Sequence, residues 1–250
     1  MTTPGDFSDQ AEAYANARPH YPAAIVERLI ERVGVEQSEF EVIAELGAGT
    51  GLFSKTLVEF GLRVIAIEPG AAMRERAPTL HGVEWRKGSF EACPLADAEV
   101  RWVVAAQAFH WADPARALPE MRRILRADGR FSVLWNDRDL ERSALLRHTR
   151  ALIDAMVPEF DEGYRHRDWA AVVASTDDFD SVEYDEVRHV VPMSHERFLE
   201  LWRSHNKLNW ACREIGLDGF LAALREHLRA HEPDPVEVPY RCRAWTARAV

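Results

Sequence analysis

The sequence predicts an α/β fold: a doubly wound, seven-stranded, mostly parallel sheet with an antiparallel last strand. Three observations carry this. Between residues 41 and 136, short apolar runs alternate with segments of helical periodicity, which is the pattern of strand–helix–strand units. A loop with three glycines, ELGAGTG (45–51), joins the first apolar run to the first helix that follows. Beyond residue 141 the pattern changes, and SVEYDEVRHVV (181–191) alternates polar and apolar residues, as a half-exposed antiparallel strand does.

AAIVERLIERV (23–33) repeats apolar residues at helical spacing. EVIAEL (41–46) is short and apolar with glycine after it, so it reads as a buried strand. LFSKTLVEF (52–60) reads as a helix ended by Gly61, and LRVIAIEP (62–69) as a second strand ended by Pro69. A short helix (71–77), a third strand (83–88) and a fourth strand (99–109) follow. Asp113 is placed to cap a helix over 113–127, with Pro114 in its first turn. Asp128-Gly129 is a turn before the fifth strand, RFSVLWN (130–136). Residues 141–160 are helical, 194–231 are helical in two pieces broken near Gly216–Gly219, and 236–249 form the final strand, with Pro239 marking a bulge or an edge. The helical segment between the last two strands has the place of a lid. No linker divides the chain, so the expectation is a single domain over 1–250. Within it, 1–40 closes over a cofactor, 41–140 binds it, and 141–250 forms the substrate side.

Bulk properties narrow the partners. With 250 residues, 47% of them hydrophobic, the chain supports one large domain. A net charge of −10 argues against nucleic-acid binding, which needs a basic face. Cys93, Cys212 and Cys242 are far apart without a CxxC pair, so neither a disulfide framework nor a metal site is expected, and a reducing cytoplasm suits the chain. The first 22 residues lack the apolar centre of a signal peptide, and no apolar run reaches membrane-spanning length. A small-molecule substrate is therefore the expected partner.

The glycine loop points to the ligand. Glycines permit positive φ and close backbone approach, and loop amides before a helix N-terminus favour an anionic group. Glu68, at the end of the second strand, lies 21 residues after Gly47, where a carboxylate can accept from both hydroxyls of a ribose. A dinucleotide loop has a small residue at the sixth position of GxGxxG. Here that position is Leu52, and the third glycine comes one place early at Gly51. The spacing GxGxG, with Glu45 two residues upstream, resembles class I S-adenosylmethionine-dependent methyltransferases, which have a Rossmann-like fold. KGSFEACPLAD (87–97) resembles that family's adenine-lining segment, and FSDQAEAYANARPHYP (7–22) with AQAFHWADP (106–114) resembles its small-molecule branch, related to the trans-aconitate and ubiquinone-type enzymes. This resemblance covers about residues 7–139.

The resemblance implies S-adenosylmethionine as cofactor. It implies that the cofactor is held by Tyr14, Arg18, Glu45, Gly47, Ala48, Gly49, Gly51, Glu68, Pro69, Ser89, Phe90 and Gln107. Ser89 stands where an acid often accepts from the adenine amino group, and Phe90 reads equally as core. Arg18 suits a carboxylate through paired hydrogen bonds. Methyl transfer from a sulfonium is an in-line displacement that needs alignment and dryness more than a metal. His110 is the candidate general base, because its ordinary pKa lies near neutrality; packing against Trp111 is its structural alternative. His110, Trp111, Trp202, His205 and Asn209 are the candidate substrate residues, the last three on LWRSHNKLNW (201–210), which reads as one helical face or as an amphipathic packing helix. Arg203, Arg241 and Arg243 are candidates for an acidic substrate. Two rival functions stay open: a nicotinamide-dependent oxidoreductase, and a non-catalytic cofactor-binding member of the fold.

Overall fold

A computed structural model describes residues 18–35, 41–158, 160, 162–212 and 216–250, with the backbone alone at Asn206. Tyr14 and most of the 7–22 segment lie outside the described residues. The chain divides into two compact units. The larger holds His20–Asn136, Tyr164–Val187 and Cys242–Val250; the other holds Asp137–Gly163 and Arg188–Arg241, together with Arg18 and Pro19.

The elements in chain order are α1 (Ala23–Val33), β1 (Val42–Leu46), α2 (Leu52–Glu59), β2 (Arg63–Ile67), α3 (Ala71–Arg76), β3 (Val83–Arg86), β4 (Val100–Ala106), α4 (Pro114–Ile124), β5 (Leu125–Arg138), α5 (Ala144–Met156), α6 (Trp169–Val173), β6 (Phe179–Met193), α7 (His195–Arg203), α8 (Asn206–Ala211), α9 (Asp218–His231) and β7 (Val236–Ala249). The strands form one seven-stranded sheet in the order β3-β2-β1-β4-β5-β7-β6. β1 runs parallel to β2 and β4, β2 to β3, and β4 to β5; the antiparallel strands come last. The order reverses between β1 and β4. Their carboxyl ends open the crevice where such sheets place ligands.

In the larger unit both faces of the sheet are covered, which explains why β1, β2 and β4 read as continuous apolar runs. On one face Ile25 and Leu29 of α1 and Phe53 and Leu57 of α2 pack with Ile43, Val64 and Trp102. On the other, Leu118 and Met121 of α4 and Trp169 of α6 pack with Phe109, Phe131 and Trp135. A buried polar chain crosses three strands: the Trp102 Nε1–H donates to Ser132 Oγ at 3.0 Å, which lies 2.8 Å from Thr246 Oγ1. It satisfies groups that burial would otherwise penalise. α1 is fastened to β6 through Arg32, which pairs with Asp185 at 2.6 Å and with Glu183. In the other unit, Leu145 and Ile153 of α5 pack with Phe198 and Trp202 of α7 and with Phe220 and Leu224 of α9.

Four expectations change. The fourth strand stops at Ala106, because Gln107 takes a left-handed backbone (φ 57°) and a 3-10 turn follows at Phe109–Trp111. α4 ends at Ile124 and β5 begins at once. The Asp128-Gly129 turn is an excursion inside that strand, where the pairing jumps from Val100↔Leu125 to Trp102↔Arg130. Among the described residues the 194–231 segment holds three helices, because the chain also breaks at Ser204–His205. Pro239 is on an inner strand: β7 lies between β5 and β6, and the Pro239 carbonyl accepts from the Asp139 amide at 2.9 Å. Asp113 caps α4 as expected, accepting from the Ala115 amide at 3.1 Å. No helix among the described residues is long and apolar enough to cross a membrane.

Candidate cofactor and active site

The glycine loop occupies the β1–α2 junction. Gly47, Gly49 and Gly51 all have positive φ (67°, 58° and 82°), which glycine adopts without the steric cost a side chain brings. Two of them are also held by close packing. A Cβ on Gly47 would lie 2.5 Å from the Ala108 methyl and 3.2 Å from the Phe90 ring; one on Gly51 would lie 2.9 Å from the Trp85 ring. Gly49 differs, because a Cβ there would meet nothing within 4 Å. The loop is thus pinned at both ends and faces open space at its middle, the shape of a cradle for a ligand.

Glu68 follows β2 and bends back to this loop. Its Oε2 accepts from the Gly49 amide at 2.9 Å and its Oε1 from the Gly70 amide at 2.8 Å. Burial pushes the carboxyl above the usual range, while the Gly70 and Gly49 amides and the Arg74 guanidinium act against that shift. Arg74 also donates to the Glu68 carbonyl at 2.6 Å, which fixes the turn through Pro69.

Glu45, on β1, is 1% exposed and accepts from the Ser54 hydroxyl on α2. Burial, opposed by that hydrogen bond, pushes its pKa up to about 8. Unfolded, this group loses its proton near 4.5; folded, it holds the proton to about pH 8. The unfolded chain therefore binds fewer protons across this window, and stability falls as pH rises through it. Glu45→Gln removes the titration. Urea unfolding at intervals from about pH 5 to 8 is expected to show a flatter profile for the variant, with wild type losing stability relative to it. Parallel profiles would contradict the assignment.

Ser89 pairs with Ala92 in an isolated bridge, and its hydroxyl accepts from the Glu91 amide at 3.3 Å. Phe90 is buried, edge-on to Phe109 at 5.4 Å, and also flanks Gly47. It is core and loop wall at once. Gln107 Nε2 donates to the Asn136 carbonyl at 2.9 Å, while Asn136 Nδ2 donates to the His20 carbonyl at 3.4 Å. Its left-handed backbone makes it a strained brace across the carboxyl ends of β4 and β5.

His110 sits on the 3-10 turn after β4. Its ring stacks on Tyr164 (centroids 4.2 Å apart, 13° between planes) and tilts against Trp111 at 4.8 Å. Trp111 is 41% exposed. Tyr164 belongs to a 3-10 turn, Gly163–His166, whose place is set by Trp169 Nε1 donating to the Tyr164 carbonyl at 3.0 Å. Sequence reading had no signal for Tyr164, because a contact across more than fifty residues leaves no local pattern.

The remaining candidates lie in the other unit. Trp202 is buried, with the Arg138 guanidinium 4.0 Å over its ring. His205 is 5% exposed and caps α8: its Nδ1 accepts from the Leu208 amide at 3.3 Å, and its Nε2 lies 3.0 Å from Glu162. That arrangement requires the neutral Nε2–H tautomer, and burial lowers the pKa to about 4. Asn209 donates to the Arg203 and His205 carbonyls at 2.6 and 3.1 Å. These three shape the break between α7 and α8, so they do not form the single helical face expected. The Arg18 carbonyl accepts from Arg197 at 3.4 Å. Arg203 pairs with Glu200, and Arg243 donates to the Arg165 carbonyl at 2.9 Å. No group of three or more metal-ligating side chains exists among the described residues.

A 3-2-1-4-5-7-6 sheet with a glycine loop after β1 and a carboxylate after β2 is the architecture of the Rossmann-like methyltransferase fold. Residues 44–133 match the family model described as a methyltransferase domain. Uncharacterized methyltransferases of Mycobacterium bovis and Mycobacterium tuberculosis are 39% identical over 149 residues, 59% of this chain and 58% of theirs. A methyltransferase-like protein of Schizosaccharomyces pombe is 33% identical over 138 residues, 53% of this chain and 52% of that protein. The chain thus spans little more than half the length of the relatives it matches. Among solved structures, a protein of Anaeromyxobacter dehalogenans assigned as a type II methyltransferase shares the fold with a TM-score of 0.71. It is 24% identical, covering 92% of this chain and 97% of that one.

Proposed function

We propose that this chain binds S-adenosylmethionine and methylates a small-molecule acceptor in the cytoplasm, at oxygen, by in-line displacement. The observation that carries the reading is the pairing of the Glu68 carboxylate with the one loop glycine that faces open space. The residues fit the cofactor. Glu68 would accept from the ribose hydroxyls, and the 47–51 backbone, with Ala48 among it, would hold the methionine part. Pro69, Ser89 and Phe90 would hold the adenine. Buried Glu45 braces the loop through Ser54. Bound there, the sulfonium supplies a methyl group already activated by its positive charge.

The chain's own residues then have two tasks. The Gln107–Asn136–His20 connection holds the crevice in one geometry, which is what an in-line displacement needs. His110, aligned by its stack on Tyr164, takes the proton of the acceptor hydroxyl at a ring nitrogen. Trp111 and Tyr164 give the acceptor an aromatic wall.

Calorimetry with S-adenosylhomocysteine is the direct test, with NADH as the control. Tight binding of NADH with none of S-adenosylhomocysteine would overturn the reading in favour of an oxidoreductase. His110→Ala is expected to cut turnover by ~10²–10⁴-fold while S-adenosylhomocysteine affinity holds. Full activity of the variant would leave His110 a packing residue.

A further inference from the structure

The strand β6 closes one end of the sheet, so among the described residues its outer edge has no neighbouring strand. It is long for an edge strand, running from Phe179 to Met193. Two features bound its regular part. Ser181 has a left-handed backbone (φ 51°), which interrupts the pleat, and Pro192 has no amide hydrogen to donate to a ladder. The stretch between them, Val182–Val191, is centred close to Val187.

That stretch is self-complementary. In an antiparallel pairing of two copies about Val187, Glu186 of each copy stands opposite Arg188 of the other. Tyr184 stands opposite Val190. Tyr184 and Val190 are both 48% exposed, the only large exposed hydrophobics on β6. On a pleated strand, residues 184, 186, 188 and 190 share one face, so the charged pairs would lie between two aromatic–aliphatic pairs. The Tyr184 hydroxyl already donates to Glu186 at 2.6 Å, and the Tyr184 ring packs on Trp245 of β7 at 5.1 Å. The side chain is thus held in place on that face. Edge strands that resist association carry charges that repel in any such pairing. Here the charges attract in one register, and that register also brings the two exposed apolar groups together.

We infer that β6 is a docking edge for a second copy of this chain, and that two copies pair antiparallel about Val187 to continue the sheet across a two-fold axis. The contact is isologous, so each pairing occurs twice.

Sedimentation or light scattering on the full chain tests this. At micromolar concentration wild type is expected at twice the 28.5 kDa chain mass. Glu186→Arg sets arginine against arginine, and Arg188→Glu sets glutamate against glutamate; each is expected to shift the population to monomer. The double variant restores the pairing with the charges exchanged and is expected to be dimeric again. An equimolar mixture of the two single variants is expected to form the mixed dimer. Melting curves confirm that each variant is folded. A wild-type monomer at every concentration would overturn the inference. So would a dimer indifferent to both single changes, or a double variant as monomeric as the singles.

Discussion

Glu68→Ala is expected to weaken S-adenosylhomocysteine binding by about five- to 150-fold. Removing a charged hydrogen-bond partner from a buried site costs about 1–3 kcal/mol, and each 1.4 kcal/mol is about tenfold in affinity. Both carboxylate oxygens face backbone donors, Gly49 N on one side and Gly70 N on the other. Glu68→Gln therefore does not rescue: one amide oxygen still accepts, but the new NH₂ group opposes a backbone N–H. Glu68→Asp keeps the charge but shortens the reach, and is expected to fall between wild type and alanine. Because burial raises this carboxyl, the loss of affinity on acidification should begin at a higher pH than for an ordinary glutamate. Calorimetry across pH reads both effects, and a thermal melt separates them from loop collapse. Unchanged affinity in Glu68→Ala would remove the ribose role.

Gly47→Ala and Gly49→Ala are expected to fail in different ways, although both residues have positive φ. At Gly47 the new methyl would sit 2.5 Å from the Ala108 Cβ, which is tied to its backbone and cannot swing aside. Overpacking of about 1–3 kcal/mol adds to a left-handed penalty of about 1–2 kcal/mol. For a chain of this size the melting temperature should fall by roughly 10 °C. At Gly49 the methyl meets no protein atom, so only the backbone penalty applies and the melt moves by a few degrees. The same methyl occupies the space proposed for the cofactor, so S-adenosylhomocysteine affinity should drop more than the melt suggests. A Gly49→Ala protein that binds like wild type would place the ligand elsewhere, and an unshifted Gly47→Ala melt would contradict the packing.

The core of the fold was legible because its signals are local. The α1 boundaries match the sequence reading to the residue, since apolar spacing and the Gly34 cap both lie within the helix or next to it. The Asp113 cap and the strand–loop–helix order around 45–51 are local in the same sense. The misplaced boundaries are of another kind. Nothing in AQAFHW announces that Gln107 turns left-handed; its side chain is held by Asn136, 29 residues on. The extra break at Ser204–His205 depends on His205 capping α8 while Glu162 holds its other nitrogen. In LWRSHNKLNW that break is invisible, because the residues keep helical spacing across it.

The candidate site divides along the same line. The glycines and Glu68 follow from residue type and spacing, because a loop that approaches a ligand closely must lack side chains and a ribose needs a carboxylate at a set reach. Which glycine is open and which are packed was settled by Ala108, Phe90 and Trp85, all distant in sequence. Tyr164 beside His110 and the raised pKa of Glu45 likewise arise only when separate elements come together. Chain-local preferences such as helical period, capping and glycine φ are written in consecutive residues. Burial, stacking and pKa depend on what the fold brings within a few ångströms, and sequence separation carries no record of that distance.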